Sequence, residues 1–259
     1  MTHKYTNFTQ QEMMAVAAAR EIKDGEIVII GTGLPLLAVF LAQKTTAPNI
    51  ITLYESGAYD CKPVRTPSSV VDSVLAPGSA QTASLLEGLG YVHAGDIDVG
   101  FLGGAQIDKH GNLNTQVIGD YRAPKVRFPG SGGSNDIGVG CKRTIVMMAH
   151  LKQRFPEKVD FITTPGFFNG GKERETYGFV GGGPSVVISN MGLLRFDAET
   201  REMYLASYHP GVSIEQIKEN TGWDLKVAKD VHETEPPDPE VIRILRDECD
   251  PDGLYLKKE

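Results

Sequence analysis

A glutamate directly follows a short segment that has the composition of a buried strand. The segment 49–53 is rich in β-branched residues, and the tetrapeptide at 54–57, Tyr-Glu-Ser-Gly, comes next. Open α/β sheets bind ligands where their strands end, so the carboxylate of Glu55 is predicted at a binding edge. Gly57 permits a sharp turn because glycine has no Cβ to restrict positive φ. Glu55 could therefore act as a nucleophile or as a general acid/base, and the alternative is a helix cap or a surface ion pair.

Glycine-rich segments at 31–33, 103–106 and 129–135 could offer backbone N–H groups to a phosphate or to the oxygen of a reacting carbonyl. The first is only GxG, which favours a tight turn over a nicotinamide cofactor. No P-loop lysine or magnesium-binding carboxylate pair accompanies these segments, so NTP hydrolysis is disfavoured. Ser56 and Ser131 lie outside any GxSxG pattern, which disfavours a serine hydrolase.

Cys61 lies close behind Glu55 in the sequence and could line the same pocket. The alternative is a buried, inert thiol. The three cysteines of the chain show no CxxC spacing, and the histidines share no metal-ligand spacing. The sequence therefore predicts neither a disulfide framework nor a bound metal.

The composition is that of a soluble globular protein, with 259 residues, 41% of them hydrophobic, and a formal charge of −7. The acidic balance disfavours a nucleic-acid partner, which would require a basic face. No apolar run approaches the roughly 18 residues of a membrane span. Residues 1–11 are polar and do not resemble a signal peptide, so we expect a cytoplasmic protein without a membrane partner.

The first part of the chain predicts a βαβ unit. Thr9 and Glu12 form a capping-box pattern that opens a helix ending near 24–25. A strand at 26–30, a glycine turn, and a helix from about 35 to 45 then lead to the strand before Glu55. Because parallel strands need such a crossover, the pattern predicts a parallel sheet.

Further elements complete an α/β fold. We expect strands at 98–102, 143–148 and 159–163, and a short helix at 81–86. Beyond 184 the pattern changes to short strands with an antiparallel return over 202–207, and Asp238 caps a last helix. The prediction is one domain over 1–259, an open and mostly parallel sheet flanked by helices, with 184–259 as a small antiparallel C-terminal extension packed on it.

Three segments together carry a family resemblance. YESGAYDCKP at 54–63, GGAQIDKHGNLN at 103–114 and FPGSGGSND at 128–136 resemble the family I CoA-transferases, in particular the β subunits of the glutaconate CoA-transferase branch. The resemblance covers nearly the whole chain, from NFTQQEMMAVAAAREI at 7–22 to ENTGWDLKV at 219–227. It implies the open α/β sheet of that family.

The resemblance also implies a mechanism and a set of residues. Glu55 would attack an acyl-CoA and carry CoA as a γ-glutamyl thioester, with ping-pong kinetics. A coenzyme A thioester would be the substrate, and no cofactor would be bound permanently. The implied roles are an oxyanion turn at Gly103, Gly104 and Ala105, and a CoA-contacting loop at Gly130, Ser131, Gly132 and Gly133. Further candidates for lining the substrate pocket are Gly31, Gly33, Ser56, Cys61 and Gln106.

Members of this family work with an α subunit, so the resemblance implies a hetero-oligomer, α2β2 or higher, with the active site near the subunit interface. A dicarboxylate such as glutaconate would need a cation for its distal carboxylate, from Lys62, Arg65, Arg122 or the α subunit. Some homologues instead decarboxylate CoA esters or hydrolyse their rings and have lost the glutamate. Retention of Glu55 favours transfer, whereas Cys61 leaves the other chemistries open, and a non-catalytic CoA-binding subunit is a third alternative.

Overall fold

A computed structural model describes residues 5–256, so part of the polar start at 1–11 lies outside the described residues. The helices are α1 (Gln10–Arg20), α2 (Leu34–Lys44), α3 (Leu85–His93), α4 (Ser134–Gly140), α5 (Glu173–Thr176), α6 (Ile214–Glu219) and α7 (Pro239–Arg243). The strands are β1 (Ile27–Ile30), β2 (Ile51–Tyr54), β3 (Ala58–Tyr59), β4 (Gln81–Thr82), β5 (Val99–Leu102), β6 (Gln106–Ile107), β7 (Leu113–Asn114), β8 (Val117–Ile118), β9 (Val126–Arg127), β10 (Arg143–Met147), β11 (Pro184–Ile188), β12 (Gly192–Phe196), β13 (Met203–Tyr208) and β14 (Lys226–Glu233).

The chain divides into two compact units. The first unit comprises the described residues up to 101 together with those from 235 onward, and the second unit comprises 102–234. The expected boundary at 184 does not coincide with this division, because β11 to β14 belong to the second unit and α7 belongs to the first. The single-domain organisation with a C-terminal extension stays a prediction.

The first unit is built on the predicted βαβ arrangement. Its strand order is β5–β1–β2–β3–β4. Strand β1 pairs in parallel with β2 and with β5, and β3 pairs antiparallel with both β2 and β4. Helix α2 connects β1 to β2 and packs on α1, and its side chains from Leu36 to Ala42 are buried. The crossover therefore covers one face of the strands that lead to Glu55.

The second unit combines parallel and antiparallel pairing. Its strand order is β14–β13–β12–β11–β10. Strand β12 pairs antiparallel with β11 and β13, which confirms the antiparallel return predicted beyond 184, whereas β10 with β11 and β13 with β14 are parallel. Two small antiparallel pairs, β6–β7 and β8–β9, form the segment between β5 and α4.

Helix caps account for several correct element predictions. Thr9 and Glu12 form the predicted capping box, since the Glu12 amide donates to Thr9 Oγ1 over 3.2 Å and the Thr9 amide donates to Glu12 Oε2 over 2.7 Å. Asp238 accepts from the amide of Glu240 and caps α7 as predicted. Both caps fix the helix starts through local hydrogen bonds, which sequence patterns capture.

Two predicted elements are wrong. The predicted helix at 81–86 is replaced by β4, and α3 begins only at Leu85, after the capping box of Ser84 and Glu87. The predicted strand at 159–163 does not form, because the amides of Thr163 and Thr164 donate instead to the carbonyl of Leu113 in an isolated bridge. In both cases tertiary hydrogen bonding overrides the local apolar pattern. Within residues 5–256, no helix combines the length and the apolar character that a membrane crossing requires.

Candidate active site

Glu55 lies at the carboxyl end of two adjacent parallel strands. In the β1–β2 ladder Ile30 is opposite Tyr54, so Gly31 and Glu55 are the next residues after equivalent strand ends. Tyr54 is fully buried and Glu55 is half-buried, which fixes the backbone from which the carboxylate projects. The structure thus places Glu55 at the edge where open α/β sheets bind ligands.

The turn after Glu55 depends on glycine. Gly57 has φ of 95°, and its amide donates to the carbonyl of Tyr54 over 2.8 Å. A Cβ on Gly57 would lie 2.2 Å from the carbonyl oxygen of Ala83, and the Ala83 amide donates to the Gly57 carbonyl over 2.9 Å. A left-handed conformation and a close backbone approach therefore both require glycine at this position.

The other first-unit candidates occupy neighbouring turns. Gly31 is half-buried, and an added Cβ would lie 3.7 Å from the carbonyl oxygen of Phe101. Gly33 has φ of 103° and occupies the N-cap position of α2, as expected for a tight turn into a helix. Ser56 is half-buried beside Glu55. Gly31, Ser56 and Glu55 therefore share one edge of the first unit.

Cys61 is an inert thiol in this structure. Its side chain is fully buried, and its amide donates to Thr52 Oγ1 over 3.1 Å. Burial raises the pKa of the Cys61 thiol to about 11, with a smaller contribution from the negative charge of Asp60. The thiol is therefore protonated at neutral pH, when a nucleophile or a general base would need the thiolate.

The turn at 103–106 is braced within the second unit. The Ala105 amide donates to the carbonyl of Asn114 over 2.9 Å, so it is already occupied. The side-chain oxygen of Gln106 accepts from Asn114 Nδ2 over 2.7 Å and from the Asp160 amide over 3.1 Å. The side-chain nitrogen of Gln106 donates to Asp160 Oδ2 over 3.2 Å. These contacts make Gln106 a brace of the β6–β7 pair, and its role toward a substrate stays a prediction.

The predicted CoA-contacting loop leads into α4. Gly130 has φ of 111° and Gly132 has φ of 51°, so both adopt the left-handed conformation that favours glycine. The Ser134 amide donates to the carbonyl of Ser131 over 3.0 Å and closes the turn, and Gly133 is the N-cap residue of α4. The loop therefore has a fixed backbone conformation at the start of the helix.

A buried carboxylate in the second unit was missed by sequence reasoning. Asp108 Oδ1 accepts from the amides of His110 and Asn112 over 3.0 and 3.1 Å, and both Asp108 oxygens accept from Asn112 Nδ2. Burial raises the pKa of the Asp108 carboxyl, and its hydrogen bonds oppose that change. The turn pattern His110-Gly111-Asn112 was the available signal. Asp108, Lys109, His110, Glu157 and Phe168 line part of a cleft of about 560 Å³.

The cations suggested for a distal carboxylate differ in their surroundings. Arg65 is paired with Asp72 over 2.9 Å, which leaves it committed to its own turn. Arg122 is exposed on the turn between β8 and β9. Among the described residues, no group of three or more His, Cys, Asp or Glu side chains is arranged to hold a metal ion.

Comparison with known proteins gives consistent matches over the whole chain. Residues 11–220 match the family model described as Coenzyme A transferase. The chain is 44% identical to the β-type partner of the glutaconate CoA-transferase of Acidaminococcus fermentans, over 98% of this chain and 97% of that protein. It is 40% identical to the corresponding polypeptide of the 3-oxoadipate CoA-transferase of Pseudomonas knackmussii, over 92% of each chain. The crystal structure of the Acidaminococcus fermentans glutaconate enzyme superposes with a TM-score of 0.93 at 42% identity, over 99% of this chain and 100% of that one.

Proposed function

We propose, from the premise that this chain belongs to the coenzyme A transferase family, that Glu55 is the residue through which it transfers CoA between carboxylic acids. Membership confirms the resemblance predicted from the three motifs, and the likeness to the glutaconate enzyme confirms the open α/β fold. The relatives are named as one of two kinds of subunit, so the chain acts as the β subunit together with an α subunit.

The position of Glu55 is the observation that carries the proposal. It follows β2 at the carboxyl edge of parallel strands, on a turn held by Gly57 and the Ala83 backbone. A carboxylate is a weak nucleophile in water, and partial removal from water at a fixed turn increases its reactivity. The buried Cys61 thiol lacks the thiolate that would make it a competing reactive group.

The reaction we propose has two matched halves. The Glu55 carboxylate attacks the thioester carbonyl of acyl-CoA, which forms a mixed anhydride and releases CoA thiolate. The thiolate attacks the γ-carbonyl of Glu55, the first acid leaves as its carboxylate, and CoA remains on Glu55 as a thioester. A second carboxylate then attacks this thioester, and the same steps run in reverse to give the new acyl-CoA and free Glu55. Covalent exchange through one residue implies ping-pong kinetics.

Backbone amides are the proposed stabilisers of the negative charge that develops in these steps. We assign this role to the turn that follows β5, where the occupied Ala105 amide leaves those of Gly103 and Gly104 as the proposed donors. An amide placed this way contributes roughly 3–4 kcal/mol to a transition state. We assign the loop from Gly130 to Gly133 to contact with CoA.

The acyl groups are proposed to be dicarboxylic. Glutaconate and 3-oxoadipate, which appear in the names of the two relatives, are both dicarboxylates. Because Arg65 is paired with Asp72, the cation for the distal carboxylate is proposed to come from Lys62 or from the α subunit.

The test is to detect the covalent intermediate. The assembled α/β enzyme is incubated with acetyl-CoA without an acceptor acid, digested, and analysed by mass spectrometry. The expected result is a CoA adduct on the peptide that contains Glu55, which borohydride reduces to the corresponding alcohol. Rapid turnover with acetate or glutaconate but no adduct or reduced residue at Glu55 would refute the proposal.

Three substitutions sharpen the test. Glu55→Ala in an intact α/β complex should abolish transfer. Glu55→Asp shortens the nucleophile by one methylene, so thioester hydrolysis should increase at the expense of transfer. Glu55→Gln should be inactive when first purified, with any slow recovery matched by deamidation seen in the mass spectrum. An undeamidated Glu55→Gln enzyme with full activity would indicate a non-catalytic subunit.

A further inference from the structure

We infer that the exposed basic hairpin formed by β8, β9 and their connecting turn binds the phosphate groups of coenzyme A. This inference rests on the proposed function and adds a subsite to it. The hairpin spans residues 117–127, with Val117 opposite Arg127 and Ile118 opposite Val126. Its side chains are outside the set that the motifs predicted for CoA contact.

The hairpin reverses the charge of the chain locally. The whole sequence carries a formal charge of −7, whereas 119–127 contains three cations, Arg122, Lys125 and Arg127, and one acid, Asp120. Asp120 is used by its own turn, because its Oδ1 accepts from the amides of Arg122 and Ala123 over 2.8 and 3.2 Å. The cations are thus grouped on a protein that otherwise repels anions.

Two of these cations are available to a ligand. Arg122 and Lys125 are exposed, and among the described residues their side chains form no hydrogen bond or ion pair. Arg127 has a different role, since its guanidinium donates to the carbonyl of Tyr121 over 2.9 Å and lies 5.2 Å from the centre of the Tyr121 ring. Arg127 therefore braces the turn that presents Arg122 and Lys125.

The turn is held in place from the side as well. The Tyr121 ring stacks on Phe161 with 5.2 Å between ring centres, and the Gly119 amide donates to Asp160 Oδ2 over 2.9 Å. Like charges repel each other, so grouping cations on a braced turn has an energetic cost that an anionic ligand would offset. A fixed turn also loses little conformational entropy when it binds.

The hairpin continues directly into the proposed CoA-contacting loop. The Phe128 amide donates to the carbonyl of Gln116 over 2.9 Å, and a Cβ on Gly130 would lie 3.4 Å from Gln116 Oε1. The base of the hairpin therefore touches the loop at 130–133. Coenzyme A carries a diphosphate and a ribose phosphate, and lysine and arginine side chains recognise such groups as charge-assisted donors.

A substrate pair that differs only in the phosphate-bearing part tests the inference. Acetyl-CoA and acetyl-pantetheine present the same thioester, but only the first carries phosphate. In the assembled enzyme with Arg122→Ala and Lys125→Ala, we expect the KM for acetyl-CoA to rise roughly tenfold, which corresponds to about 1.4 kcal/mol. The KM for acetyl-pantetheine and for the acceptor acid should not change. Added salt should raise the KM for acetyl-CoA less in the variant than in the unmodified enzyme.

Control variants separate charge from structure. Lys229→Ala removes an exposed lysine from β14 and should leave all three KM values unchanged. Arg122→Lys with Lys125→Arg keeps both charges and should retain most of the affinity for acetyl-CoA. An equal change for acetyl-CoA and acetyl-pantetheine, a change confined to the acceptor acid, or no change at all would each overturn the inference. Failure to find the CoA adduct on Glu55 in the unmodified enzyme would instead refute the proposed function.

Discussion

Gly88 of helix α3 lies against the backbone of Gly57, so that a Cβ on Gly88 would be 3.4 Å from the Gly57 Cα. The same added atom would be 3.7 Å from the carbonyl oxygen of Glu55. Two glycines therefore let a helix approach the turn that carries the proposed nucleophile. The conformation of that turn depends on tertiary contact as well as on its own sequence.

This contact predicts that Gly57→Ala impairs both stability and transfer. The new Cβ would lie 2.2 Å from the Ala83 carbonyl oxygen and would sit on a residue with φ of 95°. We expect a loss of roughly 3 kcal/mol in the free energy of unfolding and a large fall in kcat, because relief of the clash moves Glu55. Denaturant unfolding and steady-state kinetics of the α/β enzyme measure the two effects.

Gly25→Ala is the matched control for this prediction. Gly25 has φ of 82° but no atom within 4 Å of an added Cβ. Its substitution should cost only about 1 kcal/mol of backbone strain and leave kcat unchanged. Equal effects of the two substitutions would contradict a special role for the contact at Gly57.

Local signals predicted a large part of the fold. The Thr9 capping box, the β1–α2–β2 unit and the Asp238 cap are each encoded by residues close together in the chain. Strand β14 was missed because it alternates charged and apolar residues only weakly, and its pairing with β13 decides its conformation. The predicted helix at 81–86 failed for the same reason, since β4 forms only by pairing with β3.

The candidate site divides in the same way. Glu55 and the Gly57 turn were predictable because strand end, carboxylate and glycine are nearly consecutive in the sequence. The Gly88 contact was not predictable, because it joins residues far apart in the chain. The occupied amide of Ala105 and the bracing role of Gln106 likewise depend on Asn114 and Asp160, which local patterns do not connect to them.

The environment of Cys61 predicts that its thiol takes no part in the reaction. It is 0% exposed, and its raised pKa keeps it protonated at neutral pH. Cys61→Ala should retain transfer to within a few-fold, with a modest loss of stability of about 1–2 kcal/mol from the small cavity. Iodoacetamide should leave Cys61 unlabelled in the native complex, as followed by peptide mass spectrometry. Rapid labelling of Cys61, or loss of activity in Cys61→Ala with the complex intact, would support an acid/base role instead.

Arg174 is predicted to hold the glycine-rich segment between Pro165 and Gly183 in place. Only 5% of the residue is exposed, and its guanidinium donates to four carbonyls at distances from 2.6 to 3.2 Å: those of Gly138, Pro165, Gly166 and Gly181. Arg174→Lys keeps the charge but cannot reach all four, so we expect a loss of roughly 2–4 kcal/mol in the free energy of unfolding.

Arg201→Lys is the control for Arg174→Lys. The Arg201 guanidinium lies 5.1 Å from the centre of the Phe167 ring, and within residues 5–256 its side chain forms no hydrogen bond or ion pair. Its substitution should therefore cost less than about 1 kcal/mol. Comparable losses in the two variants, measured by denaturant unfolding, would show that the four carbonyl contacts of Arg174 contribute little.

Two buried histidines predict an acid limit to stability. His150 contacts Ser189 Oγ over 3.2 Å and Thr221 Oγ1 over 3.0 Å, and His209 Nε2 donates to the carbonyl of Ser189 over 2.9 Å. Burial lowers the pKa of each imidazole to about 4, and the bond from His209 to Ser189 partly opposes this for His209. Both side chains are therefore neutral in the folded protein at neutral pH.

The sign of the effect follows from the proton balance. An unfolded histidine has a pKa of about 6.5, so below that pH the unfolded chain binds protons that folded His150 and His209 do not. Stability is complete above about pH 6.5, falls as the pH drops toward 4, and loses up to roughly 3 kcal/mol per histidine by that point. Hydrogen exchange at the imidazole C2 positions, followed by mass spectrometry of the native enzyme, should give midpoints near pH 4 for both residues. Midpoints near the unfolded value of about 6.5 would mean that water or a neighbouring charge reaches these rings, and the acid loss of stability should then be absent.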